Sequence, residues 1–362
     1  MNKATLGKLN QIYCGDNVAL MKQLPDNLVD LVFADPPYNM NLQRPLFRPN
    51  GAKFSGVDDQ WDKYDSLVQY DTEAKIWLQE CLRILKPHGS LWVIGSFQNI
   101  HRLGYILQDL GAWIINEIVW EKTNPVPNFA GTRFVNAQET MLWVVKNKQA
   151  KFTFNYKTMK ALNKGKQMKS VWQFNSCAGN ERLKDLNGKK LHSTQKPLAL
   201  LERIILATSK YGDLVFDPFL GTGTTAHAAK KWGRQYLGFE IDLNYYQAAQ
   251  NRLNAVRETN ENDDLKYANF DKPLKKILFQ DLLKQGIIST KDVLIIDKKT
   301  FYFNEDGTIT FDNKNLSPNQ LCRFLFQKPT NAWNAIYVKG SKIGELREEM
   351  RKNLLRKNYI NN

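Results

Sequence analysis

Short apolar runs alternate with amphipathic stretches through the first 258 residues. Val29-Asp30-Leu31-Val32-Phe33-Ala34, rich in β-branched and aromatic side chains, reads as a buried strand. Ser90 to Ile94, Trp113 to Trp120, Thr140 to Val145, Leu214 to Phe216 and Gln235 to Phe239 share that character, and Gln11 to Cys14 is a shorter case. Between them lie segments read as helices: Asn17 to Leu24, Thr72 to Leu85, Asn99 to Leu110, Leu198 to Ser209, Ala226 to Trp232 and Asn244 to Arg257. Pro87 and Gly89 stop one of these, and Pro197 stands at the first position of another, where its missing N–H is not needed. Strands alternating with helices predict an α/β fold, a mostly parallel sheet with helices on both faces.

Two stretches break the pattern. Asn39 to Ser66 and the Pro/Asn-rich Lys122 to Asn136 show little periodicity, and loops this long inside a domain are usually functional or disordered. After Arg257 the pattern changes. Residues 259–270 are polar and read as a linker. Residues 271–362 read as a small α+β module, with helices at Leu274 to Leu283, Pro318 to Phe326 and Lys342 to Arg356. Its strands are Val293 to Ile296 and Thr308 to Phe311. This places a first domain at 1–258.

Charge sharpens the picture. The 51 Lys and Arg exceed the 36 Asp and Glu by 15, which favours a polyanionic partner. From Val144 to Lys196 there are 13 Lys and Arg against 2 Asp and Glu, so most of the excess sits in one insert. Phe152, Phe154, Tyr156, Trp172 and Phe174 are interleaved with those lysines, as on nucleic-acid surfaces. The alternative is a solvated basic face. Cys14, Cys81, Cys177 and Cys322 are scattered without a C-x-x-C pair, which argues against zinc and a disulfide framework. No apolar stretch is long enough to span a membrane, and a cytoplasmic location is expected.

The candidate chemistry lies where two strands end. The first runs into Asp35-Pro36-Pro37-Tyr38. Neither proline can continue the ladder, so Asp35 is held at the carboxyl end of a strand, where open α/β sheets bind ligands. A carboxylate and the rigid Pro36 carbonyl can each accept one N–H of an exocyclic base amine. Tyr38 can stack on a base that has left its duplex. The second strand runs into Asp217-Pro218-Phe219-Leu220-Gly221-Thr222-Gly223-Thr224-Thr225 and then a helix. Glycines let the backbone approach a ligand, and the helix N-terminus offers free N–H groups. The next strand ends on Glu240, suited to a ribose hydroxyl pair. A nucleoside cofactor follows, but this turn alone does not separate NAD from S-adenosylmethionine.

Together the two motifs resemble the DNA amino-methyltransferases, in the order of the beta class, with the catalytic motif first. Phe54 to Asp59, Ser96 to Ile100, Lys122 to Phe129, Phe152 to Tyr156 and His192-Ser193-Thr194-Gln195-Lys196-Pro197 extend the resemblance to the HinfI-type and cell-cycle-regulated (CcrM-like) adenine methyltransferases. The likeness spans residues of about 10 to 258 closely and the C-terminal part loosely. It implies a Rossmann-like S-adenosylmethionine-dependent fold and N6 methylation of adenine in GANTC by base flipping. It also implies a target-recognition region over about 122–191. Asp35, Pro36, Pro37 and Tyr38 become the catalytic set. Asp16, Asp217, Phe219, Gly221, Gly223, Thr224, Thr225 and Glu240 become the cofactor set, joined by Thr194, Gln195 and Lys196 near the cofactor carboxylate. Asp16 also suits a helix N-cap, and the two roles are compatible.

Leu42 and Leu46 could wedge between base steps and Arg48 read a base edge, or the leucines could pack as a lid. Asn124, Asn128 and Arg133 suit base contacts, and the asparagines equally suit turns. Trp333 is a candidate DNA contact in the C-terminal module, which could instead serve packing or dimerisation. Double-stranded DNA is the expected partner, a homodimer the expected assembly, and a cognate restriction endonuclease a possible companion. No metal is called for, because a sulfonium is already activated. Cytosine-N4 methylation shares the amine logic, though Asp at position 35 favours adenine by the family pattern. An NAD-linked oxidoreductase would leave Asp35 to Tyr38 and the basic insert unexplained. A DNA-binding protein with a dead site does not fit intact motifs.

Overall fold

The structure is a computed structural model describing residues 9–39, 46–47, 53–54, 62–129, 131–185, 187–259, 263–268 and 277–350. The chain forms two compact units, Met1–Asp271 and Lys272–Asn362. In chain order the first contains β1 (Gln11–Cys14), α1 (Asn17–Met21), β2 (Val29–Ala34), a short β3–β4 pair (Leu46–Phe47, Lys53–Phe54), α2 (Leu67–Ile84), β5 (Leu85–Gly95) and α3 (Ile100–Asp109). There follow β6 (Trp113–Lys122), β7 (Gln138–Val145), α4 (Tyr156–Leu162), β8 (Val171–Phe174), α5 (Leu198–Thr208), β9 (Leu214–Asp217), α6 (Thr224–Lys231), β10 (Gln235–Glu240), α7 (Leu243–Ala255) and α8 (Asp263–Lys266).

One eight-stranded sheet runs in the order β1-β10-β9-β2-β5-β7-β6-β8. Only β7 is antiparallel to its neighbours β5 and β6, and the other pairs are parallel. The central strands read as unbroken apolar runs because both faces are covered. Val32 and Phe216 pack with Leu78 of α2 and Leu103 of α3 on one face. Leu31 and Val215 pack with Leu201 and Ile204 of α5 and Ala228 of α6 on the other.

Three features differ from the sequence pattern. Helix α2 begins at Leu67, earlier than expected, because the Ser66 hydroxyl accepts the Gln69 N–H at 3.1 Å and caps it. Helix α4 and strand β8 form inside the lysine-rich insert, where Met159 packs on Leu206, Ala207 and Trp232 and hides the amphipathic signal. Residues 146–191 are also not one surface. Val145 pairs with Trp113 at the edge opposite the carboxyl ends of the parallel strands. Lys148 lies 5.0 Å from the Trp113 ring, and Asn155 donates to the carbonyls of Leu206 and Ser209 at the end of α5. The first part of the basic run therefore sits away from the motif edge, and β8 returns towards it.

The second unit contains α9 (Phe279–Lys284), β11 (Leu294–Ile296), β12 (Lys299–Phe301), β13 (Ile309–Phe311), β14 (Lys314–Leu316), α10 (Pro318–Phe326), α11 (Ala332–Ala335), β15 (Tyr337–Val338) and β16 (Ser341–Lys342). Asp312 and Asn313 both take positive φ, 50° and 59°, as a tight β13–β14 hairpin requires. Leu282, Leu294, Ile309, Leu321 and Ile336 form its core.

Candidate active site

The carboxyl ends of β1, β10, β9 and β2 open on one edge and deliver the candidate residues to one cavity of about 500 Å³. Asp16, Asp35, Tyr38, Phe219, Gly221 and Glu240 all line it. Because β7 runs the other way, its amino end reaches the same edge and adds Glu139, beside Thr140, which pairs with Gly95.

The turn after β2 is held from several sides. Asp62 Oδ1 accepts the N–H groups of Tyr38 and Asn39 at 2.7 and 2.8 Å. The Pro37 carbonyl accepts Tyr70 Oη–H at 3.2 Å and Asn99 Nδ2–H at 3.4 Å. Among the described residues no donor reaches the Pro36 carbonyl, so it remains an acceptor for a ligand.

Asp35, Tyr38, Glu139, Lys122 and Lys196 form a connected network. Lys196 Nζ lies 2.7 Å from Asp35 Oδ2 and 3.7 Å from Glu139 Oε2. Lys122 Nζ meets Glu139 Oε1 at 2.7 Å, and Tyr38 Oη–H donates to Glu139 Oε2 at 2.9 Å. Burial raises the Asp35 carboxyl, and Lys196 offsets part of that rise. Burial would raise Glu139 too, but Lys196 and Lys122 outweigh it and hold the carboxyl below its usual range. Burial would lower Lys196, yet Asp35 and Glu139 keep its ammonium above the usual value. The Tyr38 hydroxyl is pushed well up by burial and by both carboxylates, so it stays neutral.

The glycine turn is built for close approach. Gly223 has φ of 80° and caps α6, and a Cβ there would lie 3.0 Å from Ala249 Cβ. A Cβ on Gly221 would meet the His192 ring at 3.3 Å. Asp217 organises the turn: its Oδ1 accepts Phe219 N–H at 2.9 Å and its Oδ2 accepts the Thr225 hydroxyl at 2.6 Å. Burial pushes its carboxyl up to about 7 against those bonds. Glu240 accepts Gly221 N–H at 2.7 Å and Asp242 N–H at 2.8 Å, which fixes the carboxylate beside the turn with lone pairs left over. Phe219 packs edge-on to Trp77 at 5.1 Å. The turn with its glycine cradle, the apolar Phe219 wall and the flanking acids Asp16 and Glu240 fit a nucleoside cofactor.

Other expected site residues fall variously. Asp16 caps α1 by accepting Ala19 N–H at 2.8 Å and also lines the cavity. Thr194 and Thr224 line it too, while Thr225 reaches it with its hydroxyl engaged by Asp217. Gln195 accepts Leu183 N–H at 3.0 Å and donates to the Glu181 carbonyl at 2.9 Å, tying a loop to the site. Lys196 lines the cavity, with its ammonium on Asp35. Asn124 accepts Ser176 N–H at 2.7 Å and Asn128 donates to the Arg133 carbonyl at 2.8 Å, which is loop bracing. Arg133 lies 5.8 Å from the Phe97 ring. Trp333 stacks on Phe279 at 3.7 Å within the second unit, with Arg347 over it. Leu42 and Arg48 lie outside the described residues, and Leu46 is described only as part of β3.

Sequence reasoning missed Glu139, Lys122 and Asp62. An acidic residue opening a buried strand was the available signal for Glu139, but the reversed direction of β7 was not readable.

Residues 29–251 match the family model described as DNA methylase, that of the N6- and N4-acting enzymes. The chain is 47% identical over 338 residues to the type II methyltransferase M.HinfI of Haemophilus influenzae, covering 91% of this chain and 92% of that one. It is 42% identical over 243 residues to M2.DpnII of Streptococcus pneumoniae, covering 67% of this chain and 88% of the relative. The crystal structure of an M1.HpyAVI–SAM complex superposes with a TM-score of 0.51 at 28% identity, covering 67% of this chain and 98% of that one. The PvuII cytosine-N4 methyltransferase matches in fold, with a TM-score of 0.53 at 19% identity, over 72% of this chain and 92% of that one.

Proposed function

The chain belongs to the N6/N4 DNA methylase family, site-specific DNA methyltransferases that use S-adenosylmethionine, and from that premise we propose that it methylates the N6 amine of adenine within GANTC. The observation that carries the proposal is the shared cavity: Asp35 to Tyr38 and Phe219 to Thr222 of the glycine turn open into the same space. The 47% identity to M.HinfI and the HinfI-type motifs support adenine and GANTC.

S-adenosylmethionine supplies an activated methyl group when bound. The residues that would hold it are the Phe219 to Thr225 turn, Glu240 and Asp16. The chain's own work is positioning and electrostatics. Asp35 and the Pro36 carbonyl each accept one N–H of the target amine, which holds its nitrogen and favours a localised lone pair. Tyr38, fixed by Asp62 through its backbone and by Glu139 through its hydroxyl, stacks on the extruded base. Asp35 needs little basicity, since the amine proton becomes acidic only as the new N–C bond forms.

The test is incubation with a GANTC duplex and the cofactor, then digestion to nucleosides. N6-methyladenine is expected. N4-methylcytosine would move the enzyme to the other branch of its family.

A further inference from the structure

The Lys196 ammonium sits on one oxygen of the carboxylate that the proposed reaction needs as its acceptor. It lies 2.7 Å from Asp35 Oδ2, is 6% exposed, and has Glu139 Oε2 at 3.7 Å on its other side. We propose that Lys196 is an exchangeable cap on Asp35, and that Glu139 is the second seat its ammonium takes when the target amine arrives.

The proposal rests on the reading of Asp35 as the amine's acceptor. An amine that acquires a methyl group becomes cationic before it loses its proton. An ammonium seated on that carboxylate competes with the amine for its lone pairs and opposes that charge. Giving up Asp35 with no other carboxylate to meet is not open to Lys196 while it stays buried, because an unpaired buried charge is strongly disfavoured. Glu139 solves this. It already lies beside the ammonium, and its Oε1 is anchored by Lys122, so the carboxylate stays in place while Lys196 shifts from one oxygen to another. The Tyr38 ring, 5.1 Å from Lys196 Nζ, flanks both seats, and the Thr194 carbonyl at 3.4 Å tethers the ammonium. A base stacking on Tyr38 therefore arrives where the ammonium must move. Lys196 and Glu139 are positioning residues: they act through Asp35.

Glu139→Gln is nearly isosteric and its amide oxygen can still accept the Tyr38 hydroxyl, but it removes the negative charge that makes Glu139 a second seat. It is expected to lower kcat at least about tenfold with cofactor binding within about threefold of wild type. Adding Lys196→Met removes the cap itself, and the double variant is expected to turn over faster than Glu139→Gln alone. A purely structural role predicts a double variant no better than the single.

The pH profile gives a second readout. Asp35 faces Lys196, Glu139, Tyr38 and Asp217. With the ammonium confined to Asp35 in Glu139→Gln, the acidic limb of kcat moves down. In Lys196→Met, which leaves the carboxyl buried and unpaired, it moves up. Cofactor calorimetry and the unfolding midpoint of each variant report folding. Wild-type kcat in Glu139→Gln, a double variant no faster than that single, or limbs moving in the same direction would each overturn the proposal while leaving the reaction assignment intact. No transfer by the wild type to any duplex would overturn that assignment and this proposal with it.

Discussion

Asp217 supports the glycine turn at a thermodynamic cost that can be measured. Its side chain is 3% exposed and, among the described residues, accepts the Phe219 N–H and the Thr225 hydroxyl; burial outweighs those bonds and pushes its carboxyl up to about 7. A carboxyl raised in the folded state contributes most stability below its unfolded pKa, and that contribution is lost as pH rises through the folded value. Between pH 5 and pH 8 the folded chain gives up the proton that the unfolded chain has already lost. At 1.36 kcal/mol per unit over the two units from 5 to 7, with a tail above, the loss is roughly 2 to 3 kcal/mol. Asp217→Asn removes this dependence while its amide oxygen can still accept the Phe219 N–H. Of the other raised carboxyls, Asp213 titrates alike in both proteins and cancels in the difference, whereas Asp35 and Glu240, whose charges also raise Asp217, cancel in part. Urea unfolding of cofactor-free protein at pH 5 and pH 8, followed by tryptophan fluorescence, reads the effect. The variant should gain on wild type by roughly 2 to 3 kcal/mol at pH 8 relative to pH 5. An unchanged difference would mean that Asp217 is ionised throughout and that burial does not govern it.

Other outcomes follow from single contacts. Asp35→Ala should keep cofactor affinity by calorimetry while kcat falls by at least about 10² to 10³, the scale for losing one preorganised polar contact to the reacting group; near-normal turnover would remove Asp35 from the mechanism. Gly223→Ala should destabilise by about 1 to 2 kcal/mol for a left-handed residue, with more from its contact with Ala249, read as a lower unfolding midpoint and weaker cofactor binding. Tyr38→Phe keeps the ring and should turn over within about tenfold of wild type, whereas Tyr38→Ala loses a stacking surface of roughly 1–3 kcal/mol and should weaken binding to duplexes with an unpaired target; equal effects would make the hydroxyl, not the ring, the working part.

What was legible in the sequence follows from burial. β2, β9 and β10 are covered on both faces, so their apolar runs stand out, and each ends in a residue that breaks the run: Asp35, Asp217, Glu240. Their meeting in one cavity follows from parallel direction. Glu139 was not legible because its arrival depends on β7 running backwards, which a local pattern does not record. The pairing of Lys196 with Asp35 joins positions 161 residues apart and looks in sequence like added charge for a cofactor. The basic insert from Val144 to Lys196 reads as one stretch because sequence shows charge but not which edge of the sheet carries it. Trp333, exposed-looking between asparagines, is held by stacking on Phe279.

The most direct test of the central claim is methyl transfer from labelled S-adenosylmethionine to a panel of duplexes, one with GANTC and others with a single base of it changed. Label in adenine, confined to the intact site, is the predicted result. Label in cytosine, or transfer indifferent to every base change, would contradict it.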